Sequence, residues 1–263
     1  MRRALLLCTF ALAACDRVFD LPANGDAQPG ADGDLLGDAD LLRDTDGDAV
    51  RDADDNCPGI ANSQTDLDGD RIGDACDPQP NDPDELVALT LFHGTSDGWH
   101  PDPPTGWQRE DGFIRSPGAA VGGTLAYDVT RAMTRPSLQV GFRFVDFGAQ
   151  TDANNNELEL LLVESDNADC QARDDDADDG QSNLLMHVRG SADAHMTTIT
   201  NELVVGTRYV LTYTRGATSA CALGSFATKF TDATDTLTVR PAIRLVHAQV
   251  EIDYIALYQG APR

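Results

Sequence analysis

Leu138-Gln139-Val140-Gly141-Phe142-Arg143-Phe144 sets aliphatic and aromatic residues at every second position. Successive side chains of an extended chain leave opposite faces, so Leu138, Val140, Phe142 and Phe144 share one side and Gln139, Gly141 and Arg143 the other. This is a half-buried β-strand, predicted over residues 138–147. Working outward, short apolar segments divided by Gly, Pro, Asn and Asp recur at 86–92, 123–129, 158–164, 184–188, 209–214, 237–239, 242–247 and 250–258. No helical pattern of ten or more residues interrupts them. Residues 85–263 are therefore predicted to form an all-β sandwich.

The composition permits such a core, since 41% of the 263 residues are hydrophobic. The charge is one-sided: 44 Asp and Glu against 19 Lys and Arg give a formal net charge of -25. That field repels nucleic-acid phosphates and attracts multivalent cations, so nucleic acid is excluded as a partner. Lys229 is the only lysine, and the arginines are too scattered to form a basic patch.

The acidic excess becomes periodic between Asp44 and Asp77. Asp44-Thr45-Asp46-Gly47-Asp48-Ala49-Val50-Arg51-Asp52-Ala53-Asp54-Asp55 aligns with Asp66-Leu67-Asp68-Gly69-Asp70-Arg71-Ile72-Gly73-Asp74-Ala75-Cys76-Asp77 at an offset of 22 residues. Both place Asp at positions 1, 3, 5, 9 and 12. Calcium takes about six to eight hard oxygen ligands, and alternate short carboxylates in a tight loop can wrap one ion. Asp44, Asp46, Asp48, Asp66, Asp68 and Asp70 are expected to ligate directly, with the carbonyls of Val50 and Ile72 at position 7. Asp52 and Asp74 would act directly or through water, and Asp55 and Asp77 would close the shell. A solvated acidic tether needs Asp density but no register. An EF-hand needs flanking amphipathic helices and prefers Glu at position 12, and neither is present.

With Asp55-Asn56-Cys57-Pro58, Asn62, Gln64 and Gly73-Asp74-Ala75-Cys76-Asp77, the segment resembles thrombospondin type 3 repeats. The resemblance implies Ca2+ as the bound ion and the aspartates above as its ligands. It departs at Ala49 and Arg71, where such loops often carry Gly; a positive φ there costs a non-glycine residue roughly 1–2 kcal/mol.

Met1-Arg2-Arg3 followed by an apolar run over residues 4–14 is a signal-peptide pattern, too short to span a bilayer that needs about 20 residues. Leu12-Ala13-Ala14-Cys15 resembles the lipobox of bacterial lipoproteins, which implies cleavage before Cys15, lipidation of Cys15 and anchorage in the cell envelope by acyl chains. Ordinary cleavage after Ala11-Leu12-Ala13, releasing a soluble protein, is the alternative. Asp16 resembles an inner-membrane retention signal of some bacteria, and which membrane holds the anchor stays open. Residues 16–43, rich in Gly, Ala, Pro and Asp, read as a disordered, flexible tether, and residues 44–84 as the calcium segment.

Four cysteines remain once Cys8 and Cys15 are set aside: Cys57, Cys76, Cys170 and Cys221. Three pairings are open; Cys57 with Cys76 and Cys170 with Cys221 are favoured because each pair lies in one compositional region.

Residues 105–114, which include Trp107, and residues 250–258 resemble the opening and closing strands of concanavalin A-like, laminin-G-like jelly rolls. Immunoglobulin-like and carbohydrate-binding-module sandwiches would give similar strings. Because jelly rolls include glycan hydrolases, Glu157 and Glu159 are the place to look for a carboxylate pair. They lack the Glu-x-Asp-x-x-Glu pattern of one hydrolase family, with Leu162 where the acid should stand, and read as a solvated strand face. No catalytic residue is assigned. His93, His100, His187, His195 and His247 show no zinc spacing. Residues 166–179 read as an acidic hairpin loop tied down by Cys170. Trp99 and Trp107 are either core fillers or sugar-stacking platforms.

These readings add up to a lipid-anchored envelope protein with a tether, a calcium-stiffened stalk and a jelly-roll-like head, not an enzyme, that serves binding or adhesion by recognising a glycan or surface protein. A ligand-free structural spacer is the alternative, with a glycoside hydrolase behind it.

Overall fold

The structure, a computed structural model, describes residues 43–94, 98–128, 130–148, 155–163, 168–174, 182–188, 194–199, 203–231 and 236–260. Cys15 and the expected tether, Arg43 excepted, lie outside the described residues. The chain divides into the units Met1–Asp40 and Leu41–Arg263, and every described residue belongs to the second.

The described residues form strands and connecting loops, with no helix among them. In chain order the strands are β1 (Asp84–Thr90), β2 (Trp99–Asp102), β3 (Gln108–Glu110), β4 (Phe113–Arg115), β5 (Gly123–Tyr127), β6 (Arg131–Thr134), β7 (Ser137–Phe147), β8 (Asn156–Leu161) and β9 (Asp169–Asp174). Then come β10 (Ser182–His187), β11 (Ala194–Ile199), β12 (Arg208–Thr214), β13 (Thr218–Leu223), β14 (Phe226–Thr231), β15 (Thr236–Val239), β16 (Ala242–Val246) and β17 (Ala248–Gly260). Each segment read as a strand from its alternation is one.

Two antiparallel sheets enclose the core. The larger runs β14-β13-β12-β7-β17-β4-β3, with β1 also on β17; the smaller runs β11-β10-β9-β8-β16-β5-β2. This all-β sandwich is of jelly-roll type, as expected. Leu138, Val140, Phe142 and Phe144 from β7 meet Leu158, Leu160, Leu184 and Met186 from β8 and β10 in one core cluster. Cys170 on β9 and Cys221 on β13 join the two sheets through that core by a disulfide, and Cys57 pairs with Cys76.

β17 determines where the aspartate loops sit. Val250 and Ile252 point into the core, and so do Ile255 and Leu257, although the parity of the chain should have turned the second pair outward. The register shift between Ile252 and Tyr254 is the cause: one inserted residue reverses which side chains face in. Tyr254, Ala256 and Tyr258 are thereby presented on the outer face of the large sheet, where Cys57, Ile72 and Cys76 pack on them. The loop segment, read from the sequence as a calcium-stiffened stalk, is thus laid against the sandwich. Arg208 fastens it, donating to Gly59 O (2.6 Å) while it pairs with Asp253 (2.6 Å) and lies over the Tyr254 ring. At the other end Arg135 bonds Gln79 and Asp82.

Two expectations are corrected, and for Trp99 the structure decides between the two alternatives in favour of the core. Residues 169–174 of the expected acidic loop are strand β9, with Cys170 and Ala172 in the core and Asp174 buried; Asp175, Asp176, Asp178 and Asp179 lie outside the described residues. Glu157 and Glu159 are 8% and 3% exposed, so their face is buried and not solvated. Trp99 is 4% exposed and packs in the core against Tyr127, which removes it as a sugar-stacking platform; Trp107 is half-buried against the same core.

Candidate metal centre

The two aspartate loops adopt the same conformation. Gly47 and Gly69 have φ of 82° and 79°, and Ala49 and Arg71 have φ of 74° and 80°. The positions where glycine was missed are thus the left-handed ones. The turn is set by the first aspartate: Asp44 accepts the amides of Gly47 (2.8 Å) and Ala49 (3.0 Å), and Asp66 those of Gly69 (2.7 Å) and Arg71 (2.9 Å). Asp48 and Asp70 accept the amides of Val50 (2.8 Å) and Ile72 (2.7 Å). Such side-chain-to-backbone bonds give the polar loop a fixed shape without a ladder.

Within that frame one oxygen from each of Asp44, Asp46 and Asp48 lies within 4.8 Å of the others, and the same holds for Asp66, Asp68 and Asp70. The structure gathers these six of the expected ligands. Asp52 and Asp74 turn back instead, accepting the amides of Thr45 and Leu67 at 2.8 Å. Asp55 accepts from the Cys57 amide (2.8 Å) and Gln64 Nε2 (2.7 Å), and Asp77 from the Gln79 amide (2.6 Å). Val50 is half-buried at position 7 of its loop, whereas the Ile72 side chain is buried beneath its own.

Three carboxylate oxygens, Asp46 Oδ2, Asp68 Oδ2 and Asp77 Oδ2, are buried without a hydrogen-bond partner. Buried polar atoms are ordinarily bonded, so an orphan in each loop calls for a partner that is not a protein donor. Burial, against the opposing pull of the Asp48 amide, pushes the Asp46 carboxyl up to about 6, with the charges of Asp48, Asp55 and Asp44 adding to it. Burial likewise pushes Asp77 and Asp84 up to about 7. Asp68 is raised too, while the Val50 and Asn62 amides hold Asp48 low. A hard divalent cation bound to these all-oxygen groups would satisfy the orphan atoms and offset the repulsion. Asp84, which no aspartate periodicity pointed to, joins the second group by donating its amide to Asp70 Oδ2 (2.6 Å).

A second polar cluster lies on the outward face of the small sheet, across β16, β8, β9 and β10. Arg244 pairs with Glu159, Arg173 Nε stands 3.7 Å from Glu157, and His187 Nδ1 stands 2.7 Å from Asp169 and 3.3 Å from Gln171 Nε2. Burial pushes Glu159 up to about 8 against the opposing charge of Arg244. Sequence reasoning missed Asp169, Gln171 and Arg244 as members of this group because only strand pairing makes them neighbours of Glu159.

No family model matches the chain, and no curated protein matches it in sequence. Among solved structures it is similar to the Bacillus licheniformis β-glucanase, at 7% identity over 66% of this chain and 97% of that chain, with a TM-score of 0.48. It is similar to the metal-free carbohydrate recognition domain of Emp46p, at 12% identity over 67% of this chain and 97% of that one, with a TM-score of 0.48. A third is the CBM2 module of the evolved Dit protein of Lactobacillus casei BL23 phage J-1, at 12% identity over 68% and 97%, with a TM-score of 0.49. Likeness at this level says nothing about ligand or activity.

Proposed function

We propose that the protein is an exported calcium-binding lipoprotein of the bacterial cell envelope, anchored through Cys15, whose sandwich recognises a glycan. The observation that carries the calcium reading is the duplication. Two loops in one conformation each gather three carboxylates and each leave a buried carboxylate oxygen without a protein partner. Ca2+ held there would neutralise the repulsion among the aspartates and fix the thrombospondin type 3-like segment on the outer face of β17. The glycan reading is supported by the buried Glu157, Glu159, Asp169 and Gln171 with the exposed Arg244 beside them, a row that offers donors and acceptors of the kind that sugar hydroxyls require. A glycan array probed with and without a calcium chelator tests the sandwich reading. Glycan signal from the calcium-loaded protein supports the sandwich reading, and an array with no signal in either state overturns it.

A hydrolase is the second reading, and Glu159 is the observation that favours it. With its carboxyl raised to about 8 beside Glu157, it would be protonated at neutral pH, as a general acid must be. We favour a non-catalytic sandwich, because Leu162 is wholly buried in the core and supplies no third acid. Glycan turnover that Glu159→Gln abolishes would reverse that preference.

A further inference from the structure

We propose that Asp84, the first residue of β1, is a ligand of the second calcium ion, so that this ion ties the loop segment to the sandwich; the proposal rests on the calcium reading above. The hydrogen bonds repeat with the 22-residue offset of the loops, and they do so beyond Asp77. The amide of Asn62 donates to Asp48 Oδ2 (3.2 Å), and the amide of Asp84 donates to Asp70 Oδ2 (2.6 Å). Asp84 thus stands behind the second loop where Asn62 stands behind the first. A neutral amide has been replaced there by a carboxylate.

That carboxylate is 0% exposed. Gln79 Nε2 spans its two oxygens at 3.1 and 3.3 Å, and Arg135 Nη2 lies 3.9 Å away. Each carboxylate oxygen has two acceptor positions, so these donors orient the group and leave it able to coordinate. Asp77 shares the site: it is 9% exposed, its Oδ2 has no hydrogen-bond partner, and the charges acting on it are those of Asp84, Asp70 and Asp68. Buried carboxylates at this density, with Arg135 the cation beside them, are costly unless a further cation joins them. A hard divalent ion meets that need. Beside the three gathered aspartates of the first loop the charge of Asp55 is felt by Asp46, whereas beside Asp66, Asp68 and Asp70 of the second stand both Asp77 and Asp84. Ligand charge sets calcium affinity, so the second site is the tighter of the two.

Calorimetric calcium titration of the full chain, beside terbium luminescence excited through Tyr258, whose hydroxyl feels the charges of Asp77, Asp84 and Asp70, tests this. The wild type should show two unequal sites, Asp84→Asn should weaken the tighter one by roughly tenfold or more, and Asn62→Asp should strengthen the weaker one. Two ions bound by Asp84→Asn with affinities within about twofold of the wild type would overturn the inference while leaving the calcium reading intact. Should Asp84→Asn fail to fold, an unchanged weaker site in Asn62→Asp overturns it equally. A wild type that takes up no calcium at millimolar concentrations removes the calcium reading, and this inference with it.

Discussion

Gly59 lies so close to the ring of Tyr254 that a methyl group on its Cα would stand 2.7 Å from Cδ1. Real Cβ atoms do not approach an aromatic carbon that closely, so a side chain there would lift the loop segment off β17. Gly59→Ala is expected to cost roughly 1–3 kcal/mol in denaturant unfolding, as overpacked sites do. Gly118→Ala, whose added carbon meets nothing within 4 Å, is the matched control and should change little. Equal stabilities for the two variants would contradict the docking of the segment.

Ala49 and Arg71 hold positive φ in the two loops. Glycine at either place relieves that strain, although it also loosens the unfolded chain, so Arg71→Gly should add about 1 kcal/mol or slightly less. Thermal unfolding in saturating calcium checks it, with a lowered midpoint as the contrary outcome.

Calcium binding should weaken on acidification. Asp46 titrates near about 6 and Asp77 and Asp84 near about 7 in the metal-free protein, and the ion binds their ionised forms. Affinity should therefore fall as pH drops from about 7.5 to about 5.5, with protons released on binding in that window. Calorimetry in buffers of different ionisation enthalpy counts those protons; a count of zero would contradict the assignment.

Glu159 makes a separate prediction. Its folded value, about 8, lies above the ordinary carboxylate value of 4.5, so the folded chain holds a proton that the unfolded chain has lost between those limits. Stability should accordingly decline as pH rises through that window, and Glu159→Gln should flatten the decline. Parallel pH profiles for variant and wild type would rule this out.

The sandwich was legible where side chains are large and alternate strictly, as in Leu138 to Phe144, and where an apolar run is long, as in β17. The β13–β14 hairpin was not, because Thr218–Leu223 and Phe226–Thr231 are built largely of Ala, Ser and Thr around the turn at Gly224. The positions and mutual register of the aspartates were plain, since calcium chemistry leaves its own period in the chain. Their docking was hidden, because Gly59 and Tyr254 meet only through tertiary contact and the inserted residue in β17 reverses a parity that the sequence cannot reveal. Glu157 and Glu159 were misread for a related reason: alternation says which residues share a face, not whether that face is covered.

The central claim is that two equivalent loops hold two ions. Crystals of the oxidised full chain grown in calcium, with data collected at a wavelength where calcium scatters anomalously, would display them directly. The prediction is one anomalous peak among Asp44, Asp46 and Asp48 and another among Asp66, Asp68 and Asp70, in loops that keep Ala49 and Arg71 left-handed. Loops with that backbone and no anomalous peak at either aspartate group would contradict it.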